Sequence, residues 1–240
     1  MTKGNAMKTL GLIGGMSWES TAIYYRHLNE IVRDRLGGLH SAKLLLHSFD
    51  FAEIAAHQNA GEWDAAAALL ADAARKLEAG GAEGLLICTN TMHRMADTVQ
   101  AAVSIPLIHI ADATAAAIKA TASRRPALLA TRFTMEQDFY KGRLAAKHGL
   151  PVAIPDAEGR DMVHQVIYEE LCRGVVSKES KAAYVAEIAR MRRADGIDGV
   201  IMGCTEITML IGQDDFDMPV FDTTRIHAEA AIDFVLPPTA

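Results

Sequence analysis

The chain carries one passage twice, and this repetition constrains its fold more than any other feature. Gly81-Ala82-Glu83-Gly84-Leu85-Leu86-Ile87-Cys88-Thr89-Asn90-Thr91 recurs 115 positions later as Gly196-Ile197-Asp198-Gly199-Val200-Ile201-Met202-Gly203-Cys204-Thr205-Glu206. In both copies an acid precedes the second glycine, and an apolar run then ends in a short polar cluster. Two further pairs keep the same order. Leu12-Ile13-Gly14-Gly15 matches Leu128-Leu129-Ala130-Thr131 at an offset of 116, and Ile105-Pro106-Leu107-Ile108 matches Met218-Pro219-Val220-Phe221 at 113. Any one match could reflect the general likeness of buried strands; three in register point to a duplicated unit. Each run reads as a parallel strand with small polar residues at its carboxyl end, where open α/β sheets bind ligands.

The expected fold is therefore α/β: two pseudo-symmetric α/β domains with parallel sheets and an active site in the inter-domain crevice. The first domain is expected to span residues 7–112 and 220–240, the second 113–219. Strands are expected at Thr9–Ile13, Lys43–Phe49, Gly84–Cys88, Ile105–Ile110, Ala127–Ala130, Val152–Ile154, Val200–Met202 and Pro219–Phe221. Between them the sequence predicts helices over 18–35, 63–79, 92–103, 111–121, 135–148, 161–173, 178–193 and 224–234. Ser17 or Ser20 is a candidate cap for the first helix, and Gly80-Gly81 ends the Ala-rich one.

Composition narrows the function. A net charge of −6 and a pI near 5.8 argue against nucleic acid as a partner, since phosphate binding needs clustered Lys and Arg. No apolar run is long enough for a membrane span, and the first eight residues read as a short disordered lead-in without a secretion signal, Met7 being a second possible start. The three cysteines, Cys88, Cys172 and Cys204, fit neither a disulfide framework nor a zinc site, and suit a reducing cytoplasm. Cys172 reads as a helix residue filling a core gap. Cys88 should face away from Thr89 on the opposite side of its strand. Only Cys204 occupies a strand end beside a glycine.

At matched positions of the repeat, Thr89 and Cys204 offer a hydroxyl and a thiol. A thiol has an ordinary pKa of about 8.5, and the helix turn expected at Thr205 would favour the thiolate. A thiolate can take a proton or attack carbon; the threonine hydroxyl is no resting base but can donate or relay a proton. Asn90, Thr91 and Thr205, with nearby backbone N–H groups, form donor clusters suited to a carboxylate. Ordinary helix capping is the competing account of those three, and an inert buried thiol that of Cys204.

These residues resemble the signature segments of the aspartate/glutamate racemase family. The resemblance rests on Gly11-Leu12-Ile13-Gly14-Gly15-Met16-Ser17, Cys88-Thr89-Asn90-Thr91-Met92-His93, Ala130-Thr131-Arg132-Phe133-Thr134-Met135-Glu136-Gln137 and Gly203-Cys204-Thr205-Glu206. It implies a cofactor-independent enzyme of two mirror-related domains, usually a homodimer, that interconverts L- and D-amino acids by exchanging the Cα proton. Many members use two cysteines; here Thr89 stands at the first position, as in the branch acting on L-aspartate/glutamate or on a broader range. The resemblance assigns Thr89 and Cys204 as catalytic, and makes Met16, Gln58, Asn90, Thr91, Thr131, Thr134, Thr205 and Glu206 the expected substrate contacts. Because racemisation of a free amino acid has an equilibrium constant of one, Thr89 can tune rates but cannot make the enzyme one-way.

Substrate choice is read from what is missing. The windows 49–58 and 161–168, where acid-selective members are expected to place a basic residue, contain no Lys or Arg. Bidentate Arg pairing is the strong way to select a side-chain carboxylate, so its absence argues for neutral or varied side chains against Met16, Gln58 and Met162, unless Arg132 or Arg160 supplies the charge. Two other readings stay open. One is a single-cysteine decarboxylase of malonate-like acids or an isomerase; the other is an amino-acid-binding protein that has lost catalysis. A nucleotide-binding domain is disfavoured, since Gly11-Leu12-Ile13-Gly14-Gly15 lacks the dinucleotide spacing and no phosphate loop follows.

Overall fold

The computed structural model describes residues 7–236, so most of the expected lead-in lies outside the described residues. They divide into two compact units. One runs to His109 and resumes at His227; the other extends from Ile110 to Ile226.

In the first unit β1 (Leu10–Gly14) is the central strand, flanked in parallel by β2 (Leu44–Ser48) and β3 (Gly84–Ile87). Leu10 pairs with Leu44 on one side and Gly84 on the other. β1 and β3 are buried throughout, as continuous apolar runs in a two-sided sheet must be, whereas β2 is half exposed along its edge. Between the strands stand α1 (Trp18–Leu36), α2 (Phe51–Ala60), α3 (Trp63–Ala79) and α4 (Ala96–Ala101). Ser17 caps α1 by accepting from Ser20 N at 3.3 Å. α3 buries Ala66, Leu70, Ala73, Ala74 and Leu77 at helical spacing against Ile13, Leu85 and Ile87.

The second unit repeats this plan with β4 (Ala127–Leu129), β5 (Val200–Met202) and β6 (Val220–Asp222), all parallel, in the order β4–β5–β6. α5 (Ile110–Lys119), α6 (Arg132–Glu136), α7 (Asp138–His148), α8 (Ala157–Glu169) and α9 (Lys178–Asp195) pack around it, and α10 (Thr223–Val235) closes the chain. No helix among the described residues is long and apolar enough to cross a membrane.

The duplication is visible down to single bonds. Leu85 N donates to Pro106 O and Val200 N to Pro219 O, both at 2.9 Å. The acid of each copy ties down the start of the neighbouring strand. Glu83 accepts from Thr9 N at 2.8 Å; Asp198 accepts from Ser123 Oγ and Arg124 N at 2.6 Å and from Arg125 N at 2.9 Å. A full edge strand in one unit is a lone bridge in the other. β6 corresponds to a single bridge between Leu85 and Leu107, and β2 to one between Ala127 and Ala153. The strands expected at 105–110 and 152–154 thus shrink to bridges, the first because Pro106 has no N–H and Ile110 already starts α5.

Three other expectations change. Residues 220–226 were expected in the first domain, but β6 pairs with β5, and the chain rejoins the first unit only at His227. The helix expected over 135–148 is broken at Gln137, which is extended (φ −83°, ψ 155°) and separates α6 from α7. Cys172 fills no core gap: it is exposed, on a short 3₁₀ turn after α8.

Candidate functional site

In the first unit, β1 and β3 deliver their carboxyl ends side by side. After β3 the chain passes through Cys88, Thr89 and Asn90 into a 3₁₀ turn over Thr91–Met95. The alternation expected at the strand end holds: Cys88 is fully buried beside Tyr24, Leu86 and Ala228, and that burial pushes its thiol far above the ordinary range. Thr89, one residue on, is half-buried. Each carbonyl of this loop has a partner. Cys88 O accepts from Ser20 Oγ at 3.1 Å, Thr89 O from the His93 imidazole Nδ1 at 2.8 Å, and Asn90 O from His93 N at 3.1 Å. After β1, Gly15 N donates to Thr21 Oγ1 at 2.8 Å, and Met16 is buried among Ile54 and Met92. Gln58, on α2, is buried and donates from its amide to Met92 Sδ at 2.9 Å.

In the second unit Cys204 follows β5 and opens a 3₁₀ turn over Thr205–Met209. It is part-exposed, and its thiol donates to Glu206 Oε2 at 3.0 Å. Burial and the Glu206 carboxylate, by both its charge and its hydrogen bond, push the thiol well above its ordinary pKa. The expected resting thiolate is therefore corrected. A five-residue turn supplies too little dipole to outweigh desolvation and an adjacent anion. The thiol is protonated and hydrogen-bonded to a carboxylate oxygen. Tyr168, pushed up to about 12 chiefly by burial and next by Cys204, is a neutral neighbour.

Polar residues at the strand ends of the second unit are buried and hydrogen-bonded. Thr205 Oγ1 and Thr224 Oγ1 lie 3.0 Å apart, Thr223 Oγ1 donates to Met202 O at 2.8 Å, and Thr131 Oγ1 and Thr134 Oγ1 are 3.3 Å apart. Thr134 is fully buried and orders the loop after β4. Asn90, Thr91, Thr205 and Glu206 are likewise buried at their strand ends. Both arginines considered as carboxylate clamps are engaged. Arg132 Nη2 donates to Asp161 Oδ1 at 2.7 Å; Arg160 donates to Glu136 Oε1 at 2.9 Å and to Pro155 O at 2.8 Å. Two histidines far away in sequence pack beside His93, whose ring bonds the Thr89 carbonyl. The rings of His93 and His109 lie 4.7 Å apart and those of His93 and His227 5.4 Å. The one available signal was His93 itself, four residues after Thr89.

The model of the Asp/Glu/Hydantoin racemase family matches residues 13–231. A crystal structure from Yersinia pestis, described as a candidate Asp/Glu racemase, shares 54% identity over 96% of this chain and 100% of its own, with a TM-score of 0.91. An aspartate racemase homologue from Pyrococcus horikoshii OT3 shares 37% over 95% of this chain and 99% of its own, with a TM-score of 0.85. An arylmalonate decarboxylase variant is 14% identical over 95% of this chain and 93% of its own at a TM-score of 0.55, a likeness of fold alone. The chain belongs to the Asp/Glu/Hydantoin racemase family, and is an Asp/Glu racemase-type enzyme.

Proposed function

We propose that the protein is a cofactor-independent amino-acid racemase that exchanges the Cα proton between Cys204 and Thr89, with a preference for varied or non-acidic side chains. The observation that carries this reading is the duplicated strand end, with a thiol at one copy and a hydroxyl at the other. The Cys204 thiol gives up its proton to solvent by way of Glu206, and the resulting thiolate takes the Cα proton of the substrate. The half-buried Thr89 hydroxyl relays a proton to the opposite face of the carbanion and is replenished from solvent. Reversal of these steps gives the other enantiomer. Asn90, Thr91 and Thr205, with the backbone N–H groups beside them, supply donors for the α-carboxylate.

Engagement of Arg132 and Arg160 by Asp161 and Glu136 supports the neutral preference, since neither guanidinium is held for a substrate carboxylate. Incubation of L-alanine, L-methionine, L-serine, L-lysine, L-aspartate and L-glutamate in D₂O tests the reading. The neutral substrates should acquire deuterium at Cα and yield D-product. Strict selectivity for the two acids would defeat the neutral preference. Release of CO₂ from a malonate without any Cα exchange would favour the decarboxylase, and binding without exchange a non-catalytic protein.

The same reading carries a cytoplasmic homodimer, supported by the family resemblance and by a groove in the first unit. Exposed Trp18, Tyr25, Leu39 and Leu46 line this groove of about 880 Å³ together with Arg26, Glu30 and Arg33. Charges of both signs beside exposed apolar side chains let such a face pair with its own copy across a two-fold axis, which is the occupant this reading assigns to it. Sedimentation should give the mass of two chains for the native protein and one for Leu39→Glu with Trp18→Glu. A native monomer, or a variant still dimeric, would remove this face as the interface.

A further inference from the structure

The half-site that bears the hydroxyl has a device that its counterpart lacks. Thr89 and Cys204 occupy equal positions in the repeat, and so do His93 and Thr208. In the second unit Thr208 Oγ1 donates to Thr205 O at 2.7 Å, leaving the Cys204 carbonyl to Ile207 N at 3.2 Å. In the first unit the side chain reaches one residue further back. The His93 ring bonds the carbonyl of Thr89 itself at 2.8 Å.

That ring is itself held in place. Nδ1 faces a carbonyl, so the proton must sit on Nδ1. The ring packs tilted against His109 and T-shaped against His227, at centroid distances of 4.7 and 5.4 Å. His227 is fixed at both nitrogens: Nε2 donates to Ile108 O at 2.7 Å, and Nδ1 accepts from Tyr24 OH at 2.8 Å. Burial pushes His227 down to about 4, so it stays neutral. A continuous set of contacts thus runs from α1 through α10 and the end of the 105–109 segment to the Thr89 carbonyl. A core histidine with only a packing role would need no such bond to the residue that carries the hydroxyl.

We propose that His93 is a positioning residue for Thr89, fixing through the Thr89 carbonyl the backbone from which the hydroxyl projects. The proposal rests on the proposed racemase reading. A hydroxyl that only relays a proton depends on placement more than a thiolate does, and a displacement of about 1 Å at a reacting group can cost roughly 10²-fold.

The test compares His93→Asn, which can still present an N–H to the carbonyl, with His93→Leu, which cannot. With L-methionine and L-glutamate in D₂O, His93→Leu should lower kcat for Cα exchange by about 10- to 100-fold with KM unchanged. His93→Asn should recover most of that loss, and the two variants should melt together. Equal kcat losses in both variants, or a normal kcat in His93→Leu, would overturn the proposal. Proton–nitrogen correlation spectra of the native protein give a second readout that needs no variant to fold. They should show His93 protonated at Nδ1, and an Nε2–H tautomer would also overturn it. If native protein and Cys204→Ser exchange deuterium equally, the racemase reading fails instead, whatever the tautomer.

Discussion

Replacing Cys204 by serine should slow Cα proton exchange roughly 10²- to 10⁴-fold, the range usual for loss of a general acid–base group, or about 3 to 5 kcal/mol of barrier. Serine keeps the size of the side chain and can still donate to Glu206, which accepts from the thiol at 3.0 Å, so the turn that opens at Thr205 should survive. What serine lacks is an accessible anion. The thiol is already pushed up by burial and by the Glu206 carboxylate; an alcohol in the same place would start from a far higher value. The pH profile carries the same information. The reactive base is the deprotonated form, and its folded-state pKa is raised. Exchange by the native enzyme should therefore climb as pH rises toward that pKa, and serine should abolish the climb. Near-normal exchange in Cys204→Ser would remove Cys204 from the chemistry, whereas Thr89→Ala is expected to reduce the rate less.

Much of what places these two residues was legible in the sequence. The repeat gave the two buried strands β3 and β5, and the polar clusters after them, because a two-sided parallel strand is a short apolar run that only one kind of sheet accommodates. α3 was equally plain, since its small residues recur at helical spacing and Gly80-Gly81 stops it. Elements whose stability is tertiary were harder to see. α2 went unread because its Ala, His and Gln residues carry little amphipathic pattern; Asp50 caps it by accepting from Ala52 N at 3.0 Å, and Gly61 ends it in the left-handed region. The apolar run at 105–110 looked like a strand, yet only Leu107 bridges to β3, and the rest leads into α5.

The candidate site was legible by residue type and not by environment. Sequence spacing separated Cys88 from Cys204, and the structure agrees that Cys88 is sealed in the core. It gave the wrong sign for the Cys204 thiol, because burial and the reach of a carboxylate two residues on depend on coordinates. The histidine contacts around Thr89 join residues 24, 93, 109 and 227, a separation that no local pattern encodes.

Gly15→Ala should destabilise the protein by about 4 kcal/mol and lower its melting temperature by roughly 10 °C, a loss comparable to much of a typical domain's stability. Gly15 turns the chain from β1 toward α1 with φ +83°, which costs an L-residue about 1–2 kcal/mol. The larger part is spatial. A Cβ on Gly15 would lie 2.3 Å from Phe49 O and 2.4 Å from Phe49 N. These are backbone atoms, and Phe49 N already donates to Gly14 O at 3.0 Å, so no side chain can swing aside to make room. Relief would have to part the carboxyl ends of β1 and β2, next to the turn where Gly15 N bonds Thr21 Oγ1. Gly149, at φ +67° with nothing within 4 Å of its would-be Cβ, is the control. Gly149→Ala should cost only about 1 kcal/mol, the conformational share. Calorimetry on the two variants separates the contributions. Equal shifts would mean that the close approach of Phe49 adds nothing and that β1 is free to retreat from it.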